Sequence, residues 1–391
     1  MVKLGQLIED SISRKQVRND ELVTFIRMQD VTEDAVLKNQ ITIRKEEIKQ
    51  GLTYFEKGDV LVAKITPCFE NGKGAALSNI STNVGYGSTE FHVLRAKKTS
   101  DASYIYHHTR YRPFRTKLEL DMVGTAGHRR VPLASIQNYM LPIEHSYTER
   151  KAIAEALSDV DALIDSLDAL IAKKRQIKTG TMQQLLTGKT RLPGFGEGKG
   201  FKQSELGQIP EDWEVYQFSD HFEIYAGGDV PQNSTSAYKS EKYLIPIYAN
   251  ALQQGGLYGY TDRWRANAKS ITVTARGTLG HAEYRNEKFF PIVRLLVLEP
   301  IRLLEPRFTA YSINELVTFA IESTGVPQLT APQIGQYAIS APADLAEQIA
   351  IADVISDFDV EIALLEQRLT KTKALKQGMM QELLTGRTRL V

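Results

Sequence analysis

The chain has 391 residues, of which 42% are hydrophobic and 24% are charged, and its formal net charge is +1. This composition is that of a soluble globular protein, and the length exceeds one ordinary domain core, so two domains with connectors are expected. The near-neutral charge excludes a global field that attracts polyanions, so any nucleic-acid surface must come from local clusters of cations. The single cysteine, Cys68, excludes an intramolecular disulfide framework and thiolate metal clusters.

The sequence also lacks the features of a membrane protein. It holds no apolar run long enough to cross a bilayer. The start, MVKLGQLIED, does not have the layout of a secretory signal peptide. We therefore expect a cytoplasmic protein that makes no contact with a membrane.

The residue pattern of 1–146 is typical of a compact domain that contains both strands and helices. Short β-branched and aromatic runs alternate with Gly, Pro and Asn, which is typical of short strands joined by loops. We predict strands at Asp59–Ile65 and Phe91–Leu94 and a short helix around Ala102–Arg112.

Two polar loops of this first domain carry side chains that suit DNA. Arginine reads guanine and asparagine reads adenine through paired hydrogen bonds, while lysine holds phosphates. Residues 64–73 leave a predicted strand, and residues 125–130 form a glycine-containing basic segment. The candidate contacts are Lys64, Asn71, Lys73, His128, Arg129 and Arg130. A solvated turn with incidental cations is the alternative interpretation of each loop.

Residues 147–190 are predicted to form a long helix with a narrow apolar seam. Its apolar residues follow one another at intervals of 4, 3, 4, 3 and 4, which is a heptad pattern. These seam residues are Ile153, Leu157, Val160, Ile164, Leu167 and Ile171. The basic run at residues 173–178 then reads as cations placed near a helix C-terminus rather than as a DNA contact. Residues 191–210 follow, and their glycine-rich polar composition predicts a linker.

Residues 211–344 resemble the first domain in texture. Strands are predicted at Ser270–Ala275 and Ile292–Leu298, and a short helix at Pro306–Thr318. Polar residues flank the first of these strands, and Trp264 among them is expected to be a packing anchor. The candidate DNA contacts here are Arg263, Arg265, Lys269, Arg276, Thr278 and His281.

Residues 345–391 repeat the first long helix at an offset of 198 residues. The segment QGMMQELLTGRTRL near the C-terminus matches TGTMQQLLTGKTRL in the middle of the chain. The second seam comprises Ile351, Ile355, Phe358, Ile362, Leu365 and Leu369. Because neither narrow seam can be buried alone, we expect the two helices to pair with each other. Gly188 and Gly386 lie where a left-handed cap ends each helix.

The sequence contains no recognisable catalytic or metal-binding motif. It lacks the phosphate-binding GxxxxGK[ST] pattern and the zinc-binding HExxH pattern, and its seven histidines are scattered. We therefore predict no catalytic and no metal-ligating residue. A nuclease or methyltransferase acting alone stays open as an alternative, and so does a coiled-coil adaptor whose domains bind proteins.

Four motifs resemble a known family. They are LLTGKTRLPGF from Leu185, LLTGRTRL from Leu383, IPEDWEV from Ile209 and DVLVAKITPCFENGKG from Asp59. Taken in their order along the chain, from Asp59 to Leu383, they are similar to the specificity subunit of type I restriction–modification systems. The resemblance implies an α+β protein with two mixed α/β target-recognition domains, separated by two long conserved helices that form an antiparallel coiled coil with pseudo-two-fold symmetry.

The resemblance also implies a function and partners. Each domain would read one half of a bipartite, asymmetric site in double-stranded DNA. The subunit itself would be non-catalytic and would dock two modification subunits, which are methyltransferases that use S-adenosylmethionine. Two restriction subunits, which are translocases and nucleases that use ATP and magnesium, would complete the complex. No cofactor is expected in this chain.

Overall fold

The protein forms two compact units joined by two long helices. The computed structural model describes residues 2–125, 127–320 and 328–390. Unit 1 comprises residues 1–169 together with 366–391, and unit 2 comprises residues 170–365. Each long helix therefore contributes one part to unit 1 and another part to unit 2.

The described residues of unit 1 form two small sheets and three short α-helices. Its strands are β1 (Leu22–Ile26), β2 (Ile41–Arg44), β3 (Thr53–Glu56), β4 (Val60–Ala63), β5 (Gly74–Ala76), β6 (Val84–Gly87) and β7 (Phe91–Leu94). Its short helices are α1 (Ala102–Arg110), α2 (Arg112–Glu119) and α3 (Leu133–Asn138). The strand orders are β2-β1-β6-β3 and β5-β4-β7. The predicted strand at residues 59–65 and the predicted helix at 102–112 are thus present, each slightly shorter than expected.

The long helices are α4 (Tyr147–Leu185) and α8 (Leu345–Leu384). Gly188 and Gly386 follow them with φ of +66° and +73°. These are left-handed conformations that glycine adopts without steric cost, so the predicted caps are confirmed.

Unit 2 contains twelve strands, most of them short, and three short helices in its described residues. Its strands are β8 (Phe201–Ser204), β9 (Gly207–Pro210), β10 (Trp213–Gln217), β11 (Phe222–Ala226), β12 (Thr235–Ser236), β13 (Ile245–Tyr248), β14 (Leu257–Thr261), β15 (Ser270–Val273), β16 (Ala282–Arg285), β17 (Phe290–Pro291), β18 (Leu296–Pro300) and β19 (Ala338–Pro342). Its short helices are α5 (Phe218–His221), α6 (Pro306–Leu316) and α7 (Ala331–Gly335). The two larger sheets have the orders β11-β18-β15-β16 and β12-β14-β13-β17.

In unit 2, one strand begins later than expected and the predicted linker carries regular structure. The strand predicted at residues 292–298 begins only at Leu296, because the chain turns at Arg294, whose φ is +65°. The glycine-rich segment 191–210 holds the β8–β9 hairpin and buries the side chain of Ile209.

In unit 1, the first part of α4 packs against the last part of α8. Ile153 and Leu157 share a buried cluster with Met380 and Leu384, and this cluster also includes core residues of the neighbouring sheet and helices. The ion pair Asp161–Lys376 joins the same two helix segments, and Glu149 of α4 pairs with Arg389, which follows α8. As the residue number rises along α4 it falls along α8, so the two segments are antiparallel.

In unit 2, the last part of α4 packs against the first part of α8 in the same way. Met182 and Leu185 share a buried cluster with Ile351 and Ile355. Two ion pairs again join the two segments, between Lys178 and Asp359 at 2.5 Å and between Lys174 and Glu361 at 2.8 Å. These segments are therefore also antiparallel, and the predicted fold class is confirmed.

The seam residues predicted from the heptad pattern all lie at least half-buried. The fully buried ones are Ile153, Leu157, Leu167, Ile171, Ile351, Ile355 and Ile362. The half-buried ones are Val160, Ile164, Phe358, Leu365 and Leu369. The second seam extends further than the apolar pattern indicates, because Thr372 and Lys376 continue the same spacing and are buried.

The basic run of α4 has a role that the sequence interpretation missed. Lys174 and Lys178 follow Ile171 at the heptad intervals of 3 and 4, so they are seam positions. Their ammonium groups pair with Glu361 and Asp359 of α8. The interpretation as cations that simply favour a helix C-terminus was wrong, because it considered only the helix that carries them.

We predict that Leu167→Ala destabilises the protein by about 2–5 kcal/mol, the usual cost of truncating a buried leucine. Leu167 is 4% exposed in the seam. The matched control is Leu163→Ala on the same helix, where the side chain is 39% exposed and the expected change is within ~0.5 kcal/mol. Urea unfolding followed by circular dichroism measures both, and an equal loss in the two variants would contradict the described seam.

Candidate nucleic-acid interface

In unit 1, the two candidate loops lie side by side. The N–H of Val131 donates to the carbonyl of Lys64 at 2.9 Å, and the N–H of Thr66 donates to the carbonyl of Arg129 at 2.9 Å. Ile65 and Arg130 form a bridge of the β type. The structure thus brings Lys64, Arg129 and Arg130 together from segments that are more than 60 residues apart in the sequence.

Both arginines of this cluster carry a carboxylate partner. The guanidinium of Arg130 holds both carboxylate oxygens of Glu90, with Nη2 at 2.7 Å from Oε1 and Nε at 3.0 Å from Oε2. These hydrogen bonds lower the pKa of the Glu90 carboxyl. Arg129 lies 3.5 Å from the carboxylate of Glu70. The local charge is therefore smaller than the basic sequence suggests, although both guanidinium groups keep exposed area.

The remaining candidates of unit 1 differ in whether their side chains already have a hydrogen-bond partner. Asn71 donates from Nδ2 to Oε1 of Glu33 at 2.8 Å, and the Lys73 ammonium donates to the carbonyl of Met28 at 3.3 Å. His128 is exposed, and no described residue accepts a hydrogen bond from the Lys64 ammonium. Lys64 and His128 are thus available to a ligand, whereas the side chains of Asn71 and Lys73 already donate hydrogen bonds to other residues of unit 1.

A buried arginine that the sequence interpretation missed lies beneath residues 64–73. Arg115 of α2 is 7% exposed and donates to the carbonyl of Phe69 at 2.7 Å and to that of Gly72 at 2.9 Å. Burial lowers the pKa of Arg115 to about 10. No local pattern marks this residue, because it lies among the other cations of a basic amphipathic helix.

In unit 2, residues 276–281 form a tight and exposed loop between β15 and β16. The Thr274 hydroxyl donates to the carbonyl of Thr278 at 2.5 Å and accepts from the N–H of His281 at 3.0 Å. Arg276, Thr278 and His281 are all exposed. Within the described ranges, no side chain or carbonyl accepts a hydrogen bond from the Arg276 guanidinium. This arginine is therefore more available to an acceptor than Arg129 or Arg130.

The other candidates of unit 2 lie at the opposite end of β15. Arg263, Arg265 and Lys269 precede this strand, whereas residues 276–281 follow it. A strand of four residues spans about 13 Å. The structure therefore does not bring these three cations to the 276–281 loop, and they form a separate basic group.

The side chains of this basic group make some contacts within unit 2 and leave other polar atoms exposed. The Arg265 guanidinium lies 5.6 Å from the centre of the Tyr225 ring, and Arg263 lies 3.6 Å from Asp262. Trp264 is 48% exposed, with the Lys288 ammonium 3.9 Å from its ring centre. The expectation that Trp264 is a packing anchor was wrong, because about half of its side chain is exposed; the buried tryptophan of this unit is Trp213.

Neither a metal-ligand cluster nor a membrane-spanning helix occurs among the described residues. In the part of the chain that the structure describes, no group of three or more histidine, cysteine, aspartate or glutamate side chains is arranged to hold a metal ion. None of the described helices is long and apolar enough to span a bilayer.

Gly72 lies in the 64–73 loop and Gly58 lies between β3 and β4. The two glycines offer a matched test of how tightly that loop packs. Their φ values are +96° and +95°, but only at Gly72 would a Cβ atom overlap another group, the carbonyl oxygen of Glu33. We predict that Gly58→Ala costs about 1–2 kcal/mol through the left-handed conformation alone. Gly72→Ala should cost more, because the loop must also shift. Chemical unfolding measures both, and equal losses would contradict the described packing of the loop.

Comparison with known proteins places these features in a family. Residues 1–176 and 210–374 match the family model described as the type I restriction modification DNA specificity domain. The match covers most of the chain and includes residues of both units.

Two curated relatives are type I specificity subunits from Escherichia coli. The EcoEI specificity subunit is 37% identical over 123 residues, which is 31% of this chain and 20% of that protein. The EcoAI specificity subunit is 31% identical over 152 residues, which is 38% of this chain and 26% of that protein. The chain thus spans about a quarter or less of the length of these curated relatives.

A solved structure has the same fold. The S subunit of a type I restriction–modification system from M. genitalium superposes with a TM-score of 0.65, covering 97% of this chain and 94% of that one. The sequence identity is 13%, so this likeness speaks for the fold alone. On the family match, which extends over both units, the chain belongs to the family of type I restriction–modification DNA specificity domains.

Proposed function

We propose that this chain reads a bipartite, asymmetric site in double-stranded DNA for a type I restriction–modification complex. Unit 1 recognises one half-site and unit 2 recognises the other. In this proposal residues 1–146 and 211–344 are the target-recognition domains, 147–190 and 345–391 are the spacer helices, and 191–210 is the linker. The chain performs no catalysis of its own.

The observation that carries the proposal is the equivalent placement of two different loops. In unit 1 the loop after β4 lies beside the segment that ends at Arg130, through the Ile65–Arg130 bridge. In unit 2 the loop after β15 lies beside Gln328, through the Arg276–Gln328 bridge. Residues 130 and 328 are 198 positions apart, which is the offset of the internal repeat. One scaffold therefore presents two loop sequences, as expected of modules that read different half-sites.

The chemistry of the exposed side chains supports DNA as the ligand. In this proposal Arg276, Thr278 and His281 contact DNA from unit 2, and Lys64, His128, Arg129 and Arg130 contact it from unit 1. We assign base reading to Arg276, because its guanidinium has no acceptor among the described residues and suits the O6 and N7 atoms of guanine. Arg263, Arg265 and Lys269, at the far end of β15, would bind phosphates and fix the register. Asn71 and Lys73 would have to release Glu33 and Met28 to take part.

The partners in this proposal supply the chemistry. Two modification subunits bring the methyltransferase activity with S-adenosylmethionine, and two restriction subunits bring the ATP- and magnesium-dependent translocation and cleavage. The family match supports this assignment over the two alternatives, an enzyme acting alone and a coiled-coil adaptor that binds only proteins.

Methylome sequencing tests the proposal directly. The full chain is expressed with its modification subunits in a host that lacks DNA methylation of its own. We expect methylated adenines within one bipartite motif, with two different half-sites and an unspecified spacer. Methylation or cleavage of DNA by the purified chain alone would instead support the single-enzyme alternative, and the absence of any sequence-specific retention of DNA would support the adaptor.

We predict that Arg276→Ala weakens binding to a duplex that carries the motif by about 1–3 kcal/mol, with the loss confined to one base pair. The control is Arg302→Ala, which removes another exposed arginine of unit 2 and should leave affinity unchanged. Fluorescence anisotropy against single-base variants of the duplex measures both. If Arg276→Ala binds every duplex as the unchanged chain does, the 276–281 loop does not contact DNA.

A further inference from the structure

Each candidate reading loop is held from within by a side chain that bonds its main chain. In unit 1 this side chain is Arg115, whose guanidinium donates to the carbonyls of Phe69 and Gly72 at 2.7 and 2.9 Å. The same guanidinium lies 5.4 Å from the centre of the Phe69 ring. Arg115 thus grips the second half of the 64–73 loop at two carbonyls and one ring.

The partners of Arg115 set it apart from Arg285, the other buried arginine among the described residues, which pairs with Glu283. A buried cation ordinarily pairs with a carboxylate, because an unpaired charge is costly to remove from water. No carboxylate among the described residues forms an ion pair with Arg115, and its hydrogen bonds go to main-chain carbonyls of the loop. The hydrogen bonds that offset the burial of this charge therefore fix the loop and do not form an ion pair.

In unit 2 the corresponding role falls to asparagines. Asn250 donates from Nδ2 to the carbonyl of Arg276 at 2.7 Å, and its Oδ1 accepts from the N–H of Ala275 at 2.6 Å. Asn314 makes the same pair of bonds at the other end of the loop, to the carbonyl and the N–H of Ala282, both at 2.8 Å. Both ends of the exposed segment 276–281 are thus fixed by side-chain amides.

We propose that Arg115 and Asn250 are positioning residues for target recognition, each acting on the half-site of its own unit without touching DNA. A reading side chain discriminates between bases only if its main chain is held to within about half an ångström. Arg115 and Asn250 supply that constraint at carbonyls that belong to the two loops. This inference rests on the proposed function.

The two substitutions that test the inference keep the general shape of the side chain and remove its bonds to the loop. Arg115→Lys retains the positive charge, but a lysine presents one compact ammonium instead of the planar fork that reaches both carbonyls. Asn250→Leu keeps the number and branching of the side-chain heavy atoms and adds no charge that would repel phosphates, but it removes both bonds to the loop. The matched controls are Arg112→Lys on the exposed side of α2 and Asn286→Leu, an exposed asparagine just after β16.

The experiment is methylome sequencing of a host that expresses each full-length variant with the modification subunits. We expect Arg115→Lys to accept near-cognate bases in one half-site and Asn250→Leu to accept them in the other. The preference for the correct base should fall by about tenfold, within the range of a single lost base contact. Both controls should keep the unchanged motif, and the thermal midpoints of the purified variants should stay within a few degrees of the unchanged chain.

The outcomes separate this inference from the proposed function. If the unchanged chain yields no bipartite motif, the proposed function fails. If it yields one and both variants keep it intact, or relax both half-sites alike, the positioning role is wrong while the proposed function stands. A lower thermal midpoint with unchanged base preference would likewise show that the two residues serve stability only. Should Arg115→Lys fail to accumulate, the Asn250→Leu result decides alone, because its unit carries an independent loop.

Discussion

The reciprocal pairing of α4 with α8 is the interaction on which the rest of the structure depends. Neither narrow seam can leave water by itself, so each helix segment needs a segment of the other helix. Polar contacts fix the direction of this pairing. In unit 1 Arg389 holds both oxygens of the buried Glu149, and in unit 2 Arg191 does the same for the buried Glu347. Glu149 and Glu347 are 198 residues apart, and so are Arg191 and Arg389. Each copy of the repeat therefore gives its glutamate to unit 1 or unit 2 and its arginine to the other unit, and the same bidentate ion pair forms in both.

A second pair of ion pairs, within the seam itself, is related by the same offset of 198 residues. Lys376 pairs with Asp161 in unit 1, and Lys178 pairs with Asp359 in unit 2. A polar pair within an apolar seam specifies register, because any shift leaves a half-buried charge without its partner. The antiparallel arrangement is therefore set twice, by apolar spacing and by charge. The loops of both units are built on this shared frame and can vary without altering it.

The two loop clusters use this frame with different electrostatics. In unit 1 the arginines at positions 129 and 130 face Glu70 and Glu90, so the cluster combines donors with nearby acceptors. In unit 2 Arg276 projects from a glycine-rich loop without a described acceptor. Fixed donors and acceptors in different combinations present different patterns to base edges. In the proposed function, this difference is a physical reason for the two units to prefer different half-sites.

The sequence by itself determined the features that depend on neighbours along the chain. The heptad spacing predicted both long helices and their seams, and the glycines predicted their caps, because periodicity and backbone freedom are local properties. Only the tertiary structure decided which charges meet. Lys178 and Asp359 are 181 residues apart, and Arg115 reaches carbonyls more than 40 residues away. Such contacts leave no trace in local spacing, so the ion pairs of the seam and the side chains beneath the loops emerged only from the fold.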